Sequence, residues 1–129
     1  MRRETLERMT EGEIDELGKT YGIELAPCTT LEEKIDMIER RRSRSVFVTV
    51  FGIDFEIPIK RAHDKRIADI MNNPVVSETD ADEVFRLLLG DAQTRKLVDA
   101  CTDDDGTVDI EAIGLAYVKL VYSDQLKNF

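Results

Sequence analysis

The feature that most constrains this chain is an abrupt change of hydrophobic period over residues 45–59. In Ser45-Val46-Phe47-Val48-Thr49-Val50-Phe51-Gly52, Val46, Val48 and Val50 fall on one side and Phe47, Thr49 and Phe51 on the other. After Gly52, Ile53, Phe55, Ile57 and Ile59 alternate with Asp54, Glu56 and Pro58. A period of two marks extended strands, and Gly52 stands where a tight turn joins them, so a β-hairpin is expected. Pro58 has no amide to donate to a ladder, which places the second strand at an edge or at its end. An isolated hairpin is only marginally stable, so its apolar face requires a cover.

The flanking sequence supplies helices. On the N-terminal side, Ile14, Leu17 and Tyr21 share one helical face, and Gly22 offers a left-handed stop. Pro27 keeps Ile23 to Cys28 extended. Thr30-Leu31-Glu32-Glu33 then matches a capping box opening a second helix with Leu31, Ile35 and Ile38 on one side. On the C-terminal side, a short helix is expected over 63–72, ended by Asn72-Asn73-Pro74. Thr79 is the expected cap of a helix carrying Val84, Phe85, Leu88 and Leu89 and stopped by Gly90. A further helix runs from Asp91 to Cys101. After the turn Asp103-Asp104-Asp105-Gly106, Asp109 caps a last helix bearing Ile110, Ile113, Tyr117, Leu120 and Val121, with Leu126 added if it runs on.

The expected class is therefore mostly α (α+β): an N-terminal helix–extended-loop–helix module over residues 1–44, then a body over residues 45–129 made of a β-hairpin and a bundle of about four helices. The arginine-rich stretch at 40–44 marks the boundary. The 129 residues, with 42% hydrophobic and 35% charged side chains, suffice for a folded and well-solvated protein.

Charge narrows the partners. The formal net charge is -9, and residues 76–129 carry 5 Lys+Arg against 12 Asp+Glu. Such a field repels phosphate backbones and anionic lipid, so proteins are the expected partners, with nucleic acid and membrane disfavoured. Cys28 and Cys101 lack metal-site spacing. In the absence of a secretory signal, two buried free thiols in the cytoplasm are expected rather than a disulfide. No apolar run reaches the roughly 18–20 residues that span a bilayer.

Catalytic chemistry finds no foothold. The single histidine, His63, lies within Lys60-Arg61-Ala62-His63-Asp64-Lys65-Arg66 and reads as a solvated residue at a helix start. No phosphate loop, nucleophile elbow, zinc-protease pair or cysteine cluster is present. A non-catalytic protein with no cofactor and no metal is the expectation. Asp103-Asp104-Asp105-Gly106-Thr107-Val108-Asp109 partly matches a calcium loop. However, Cys101 and Ala112 occupy the end positions that need carboxylates, and a polar turn leading into a capped helix explains the same residues.

Two surfaces are candidates for binding. Tyr117, Leu120, Val121 and Tyr122 cover more of the last helix than one core stripe requires. They fit a protein-binding groove, a homo-oligomer contact or the domain core. Arg40, Arg41, Arg42 and Arg44 form the local positive cluster. They fit either nucleic-acid contact or a solvated helix end where cations complement the dipole.

Residues Leu17-Gly18-Lys19-Thr20-Tyr21-Gly22-Ile23 and Cys28-Thr29-Thr30-Leu31-Glu32-Glu33-Lys34-Ile35 resemble the helix–extended-loop–helix modules of the SAP, LEM and Rho N-terminal type. That group includes DNA binders and protein binders. Glu11, Glu13, Asp15, Glu16 and Glu24 oppose a phosphate backbone, yet a nucleic-acid-binding or regulatory adaptor built on this module and Arg40–Arg44 is the alternative reading. The segment Val48-Thr49-Val50-Phe51-Gly52-Ile53-Asp54-Phe55-Glu56-Ile57-Pro58, followed by Val84-Phe85-Arg86-Leu87-Leu88-Leu89-Gly90-Asp91 and the closing helix, resembles the tail assembly chaperones of long-tailed phages and prophages. The resemblance implies a small non-catalytic protein of the bacterial host cytoplasm. Such a protein would bind the tape measure protein, keep its hydrophobic helices from aggregating and recruit tail tube subunits.

Overall fold

The computed structural model describes residues 1–127 and divides the chain into two compact units, Met1–Arg44 and Ser45–Phe129. Each has its own hydrophobic core.

In the first unit, α1 (Arg3–Arg8), α2 (Glu11–Thr20) and α3 (Leu31–Ser43) enclose Leu6, Ile14, Leu25, Ile35 and Ile38. The sequence pattern does not announce α1, which is too short to show a period. Leu6 is nonetheless 2% exposed. The Arg3 guanidinium holds α1 to α3 by donating to Asp36 at 2.6 Å and Glu39 at 3.0 Å, and it also bonds Glu7 within α1. Helices α2 and α3 are joined similarly, with the Lys34 ammonium 3.0 Å from Glu11 and 2.7 Å from Asp15. Thr10 and Glu13 form a reciprocal capping box at the start of α2. At α3 the Thr30 hydroxyl accepts from the Glu33 amide, but the Glu33 carboxylate reaches one residue further back, to the Thr29 amide. Gly22 ends α2 at φ +70, and Cys28 is half-buried rather than buried.

The second unit opens with the hairpin. Strands β1 (Ser45–Val50) and β2 (Ile53–Pro58) pair antiparallel, with Val50 opposite Ile53, Val48 opposite Phe55 and Val46 opposite Ile57. Phe51 and Gly52 both have positive φ, 54 and 76, the conformation that a two-residue turn adopts when it follows the twist of its strands. Val48, Val50, Phe55 and Ile57 face the core.

Helices cover that face: α4 (Ile59–Ala62), α5 (Lys65–Met71), α6 (Glu78–Ala100), α7 (Ile110–Val121) and α8 (Asp124–Lys127). Several sequence expectations are corrected here. Ile59 leaves the strand pattern, because Pro58 ends β2 and serves as the residue before α4. The helix expected over 63–72 begins at Lys65, capped by Asp64. The cap of α6 is Ser77, in a reciprocal box with Asp80, so Thr79 lies inside the first turn. Leu126 belongs to α8 and not to α7.

Within α6, Gly90 breaks the helix at φ 78 and ψ 170, a region closed to side-chain-bearing residues. The two halves therefore meet at one residue, and side chains of the second half bond carbonyls at and before the break. Gln93 donates to the Leu89 carbonyl at 2.9 Å, and the Thr94 hydroxyl lies 2.7 Å from the Gly90 carbonyl and 3.1 Å from that of Phe85. Val84, Phe85, Leu87, Leu88 and Leu89, just before the break, are all buried.

Two stability changes follow. Gly90→Ala forces an L side chain into that backbone region and sets a Cβ 2.9 Å from the Arg61 guanidinium; it should lower unfolding stability by about 1–3 kcal/mol in denaturant titrations. Leu6→Ala should cost about 2–5 kcal/mol, seen as faster amide exchange across residues 1–44. Unchanged exchange would remove α1 from the core.

Candidate functional site

Helix α7 carries two charged residues, Glu111 and Lys119, among its 12. A helix with so few charges has no polar side to turn to water. One face points inward: Ala116 and Leu120 are fully buried, and Ile113, Tyr117 and Val121 pack against the same core. Tyr117 meets Phe85 edge-on at a ring-centroid distance of 5.9 Å, and burial raises the pKa of its phenol. Leu120 is thus core and not binding surface, and Tyr117 and Val121 face largely the same way. Of the four residues singled out on this helix by sequence, Tyr122 alone is exposed, at 55%.

Gly114, Leu115 and Val118 lie on the opposite side of the same element, and Ile110, which falls between Tyr117 and Val121 in helical angle, is exposed where the helix begins. Ile110 is 62% exposed, Leu115 49% and Val118 51%. Residues 110, 114 and 118 follow one another at intervals of four, a diagonal row along the helix, with Leu115 beside it and Tyr122 just past its last helical residue. The second position of that row is Gly114, where an added Cβ would meet nothing within 4 Å. A helix-interior glycine costs about 1 kcal/mol relative to alanine. Here the fold of the unit does not require it. What it creates is a notch between Ile110 and Val118, where another helix can approach closely. The sequence pattern does not single out Leu115 and Val118. The signal that identifies them is their position outside the arc of Ala116 and Leu120 on a helix almost without charge.

The entry into α7 is rigid. Thr102 bridges Val108, the Asp103 amide donates to the Thr107 carbonyl at 2.8 Å, and the Asp109 amide donates to the Cys101 carbonyl at 2.8 Å. Asp105 accepts from the Thr107 amide, and this bond lowers its carboxyl pKa. Asp109 accepts from the amides of Glu111 and Ala112, capping the helix. These carboxylates thereby serve the backbone. Among the described residues there is no group of three or more His, Cys, Asp or Glu side chains placed to hold a metal ion. Cys101 is buried and its thiol pKa is raised by burial, while His63 is exposed at the end of α4.

Arg40, Arg41 and Arg42 lie in the last turn of α3, and Arg44 follows it. Successive residues of a helix turn by about 100°, so these three point in different directions. Arg42 stacks on the Tyr21 ring at 5.2 Å, whereas Arg40 and Arg44 are exposed. No helix among the described residues is long and apolar enough to cross a membrane.

The two faces of α7 should respond differently to mutation. Val118→Asp should leave the melting temperature within a few degrees of the parent, as is usual for exposed sites. Leu120→Ala should cost about 2–5 kcal/mol through a core cavity. Equal losses would show that Val118 is buried. No family model, curated protein or solved structure matches this chain.

Proposed function

We propose that this protein is a non-catalytic assembly factor that binds an apolar helix of a client protein on the outward face of α7. The observation that carries this reading is the exposed arc of Gly114, Leu115 and Val118, with Ile110 and Tyr122 exposed at the two ends of a helix whose other face is already committed to the core. An apolar helical face flanked by charge is a receptor for amphipathic segments, since docking removes apolar surface from water on both partners. Residues 45–129 carry 9 Lys+Arg against 16 Asp+Glu. That excess favours a client helix bordered by lysine or arginine and keeps the complex soluble.

The resemblance of the hairpin and α6 segments to tail assembly chaperones supplies a client of this kind, the tape measure protein of a long-tailed phage or prophage. Its long hydrophobic helices are aggregation-prone until the tail tube grows around them. A holdase in the host cytoplasm needs no catalytic group, only an apolar receptor with an acidic surround.

The test is coexpression with a tape measure protein encoded beside this chain. Soluble complex is expected with the parent sequence, and at least a tenfold loss with Leu115→Glu and Val118→Glu together, at unchanged helical circular dichroism. Retention of the complex by that double variant would remove α7 as the receptor. Absence of a tape measure gene from the neighbourhood would remove the phage client.

A further inference from the structure

The two edges of the hairpin are treated oppositely. Along β2, the Gln93 side chain accepts from the Glu56 amide at 2.8 Å and donates to the Glu56 carbonyl at 2.7 Å, reproducing with one amide the pair of bonds that a neighbouring strand would make. That Glu56 is free to bond sideways also fixes the parity of the ladder. Its register partner is Phe47, and in an antiparallel pair such opposed residues turn their amide and carbonyl outward together. Ser45, Phe47 and Thr49 therefore point their backbone groups away from the sheet along β1. Among the described residues no hydrogen bond meets them.

The side chains compound the asymmetry. An unpaired edge is normally guarded by charge, proline or a bulge. Here the guarded strand is β2, which carries Asp54, Glu56 and Pro58 and whose edge is already closed, whereas β1 carries no charge, no proline and no bulge. On its solvent side stand Ser45, Phe47 and Thr49, with Phe47 59% exposed. Strand β1 has the composition of an interior strand.

We propose that β1 pairs antiparallel with β1 of a second copy of this chain, across a two-fold axis at Phe47, making a four-stranded sheet. In that register Phe47 faces its own counterpart and Ser45 faces Thr49 of the other copy. These are the residues whose amides and carbonyls point outward, so each opposed pair exchanges both its bonds. The solvent faces bring the two Phe47 rings together, and aromatic cross-strand pairs are favourable. Two units with such an excess of carboxylates repel one another, and the uncharged β1 edge is where they can meet with little of that repulsion. The two inner strands meet without a charge between them, while Asp54 and Glu56 lie on the outer strands, away from the axis. Helices α7 and α8 both pack beside β1, but the client reading rests on Leu115 and Val118, which are exposed on the outward side of α7, so the two readings use different residues.

Sedimentation of the full chain over a hundredfold concentration range should give twice the chain mass at the upper end. Phe47→Lys sets like charges at the axis, and Phe47→Pro removes an outward amide that the hairpin itself does not use. Both should return the monomer at unchanged circular dichroism, and if Phe47→Pro fails to fold, Phe47→Lys carries the comparison. Leu115→Glu with Val118→Glu should leave the dimer intact. With Cys28→Ser and Cys101→Ala in the background, Phe47→Cys should form an intermolecular disulfide under mild oxidation, because paired residues of this type lie about 5.5 Å apart between Cα atoms, inside the range a disulfide spans. The proposal is overturned by a monomer throughout, by a dimer that survives Phe47→Lys, by one lost with the α7 variants, or by a dimer in which Phe47→Cys does not cross-link. A monomer whose Phe47 gains exchange protection only on binding a different protein would assign the edge to that partner's strand instead.

Discussion

The second unit depends on the break at Gly90. Val84, Phe85, Leu87, Leu88 and Leu89 are all buried just before it, and an unbroken helix would have to continue residues 91–100 along the same line. Turning the chain at a residue without Cβ lets the first half sit in the core while the second half starts in a new direction. Gln93 and Thr94, just past the turn, bond the carbonyls of Leu89, Gly90 and Phe85. Gln93 then has an amide hydrogen and its carbonyl oxygen still to satisfy, and both go to Glu56 of β2. One backbone irregularity thus fixes a helix bend and closes a sheet edge.

The first unit is organised by different means. Its helices are short, and its core is small, with five buried hydrophobic residues. Cations at the helix junctions supplement it. Arg3 lies among Glu7, Asp36 and Glu39, and Lys34 lies between Glu11 and Asp15, arrangements that raise the pKa of each cation, through its hydrogen bonds to Asp36 and Asp15 first. The carboxylates of both clusters are exposed to water, which screens the pairs, so they orient the helices more than they stabilise the unit. The acidic residues that argue against DNA on sequence grounds are in part these structural partners.

Local sequence carried the fold where the chain obeys a period or a cap. Alternation in 45–58 reads directly as the hairpin, and the proline and glycine positions read as its limits. What was not legible lies in tertiary pairing. Arg3–Arg8 is too short for a period to emerge, and its membership of the core rests on Leu6 and on carboxylates more than twenty-five positions away. Thr79 and Ser77 are equivalent cap candidates by composition, and the acidic residue three positions after each, Asp82 or Asp80, does not separate them. The role of Gln93 has no local signature at all, because its partner is 37 positions away.

The candidate surface shows the same division. Composition identified α7 correctly as a helix too apolar for a single core stripe, but composition does not say which arc faces in. Tyr117 and Leu120 are the bulkier residues and were the natural choice for a receptor. They face inward because Phe85 and the hairpin offer them complementary partners. The outward arc carries Gly114, Leu115 and Val118, with Tyr122 exposed just past its end. A shallow ridge with a notch suits the lateral approach of another helix better than a ridge of aromatics would, since close packing of two helices needs a place where one can sink between the side chains of the other. The residue with no evident use in the unit's own fold, Gly114, is for that reason the most informative one on its surface.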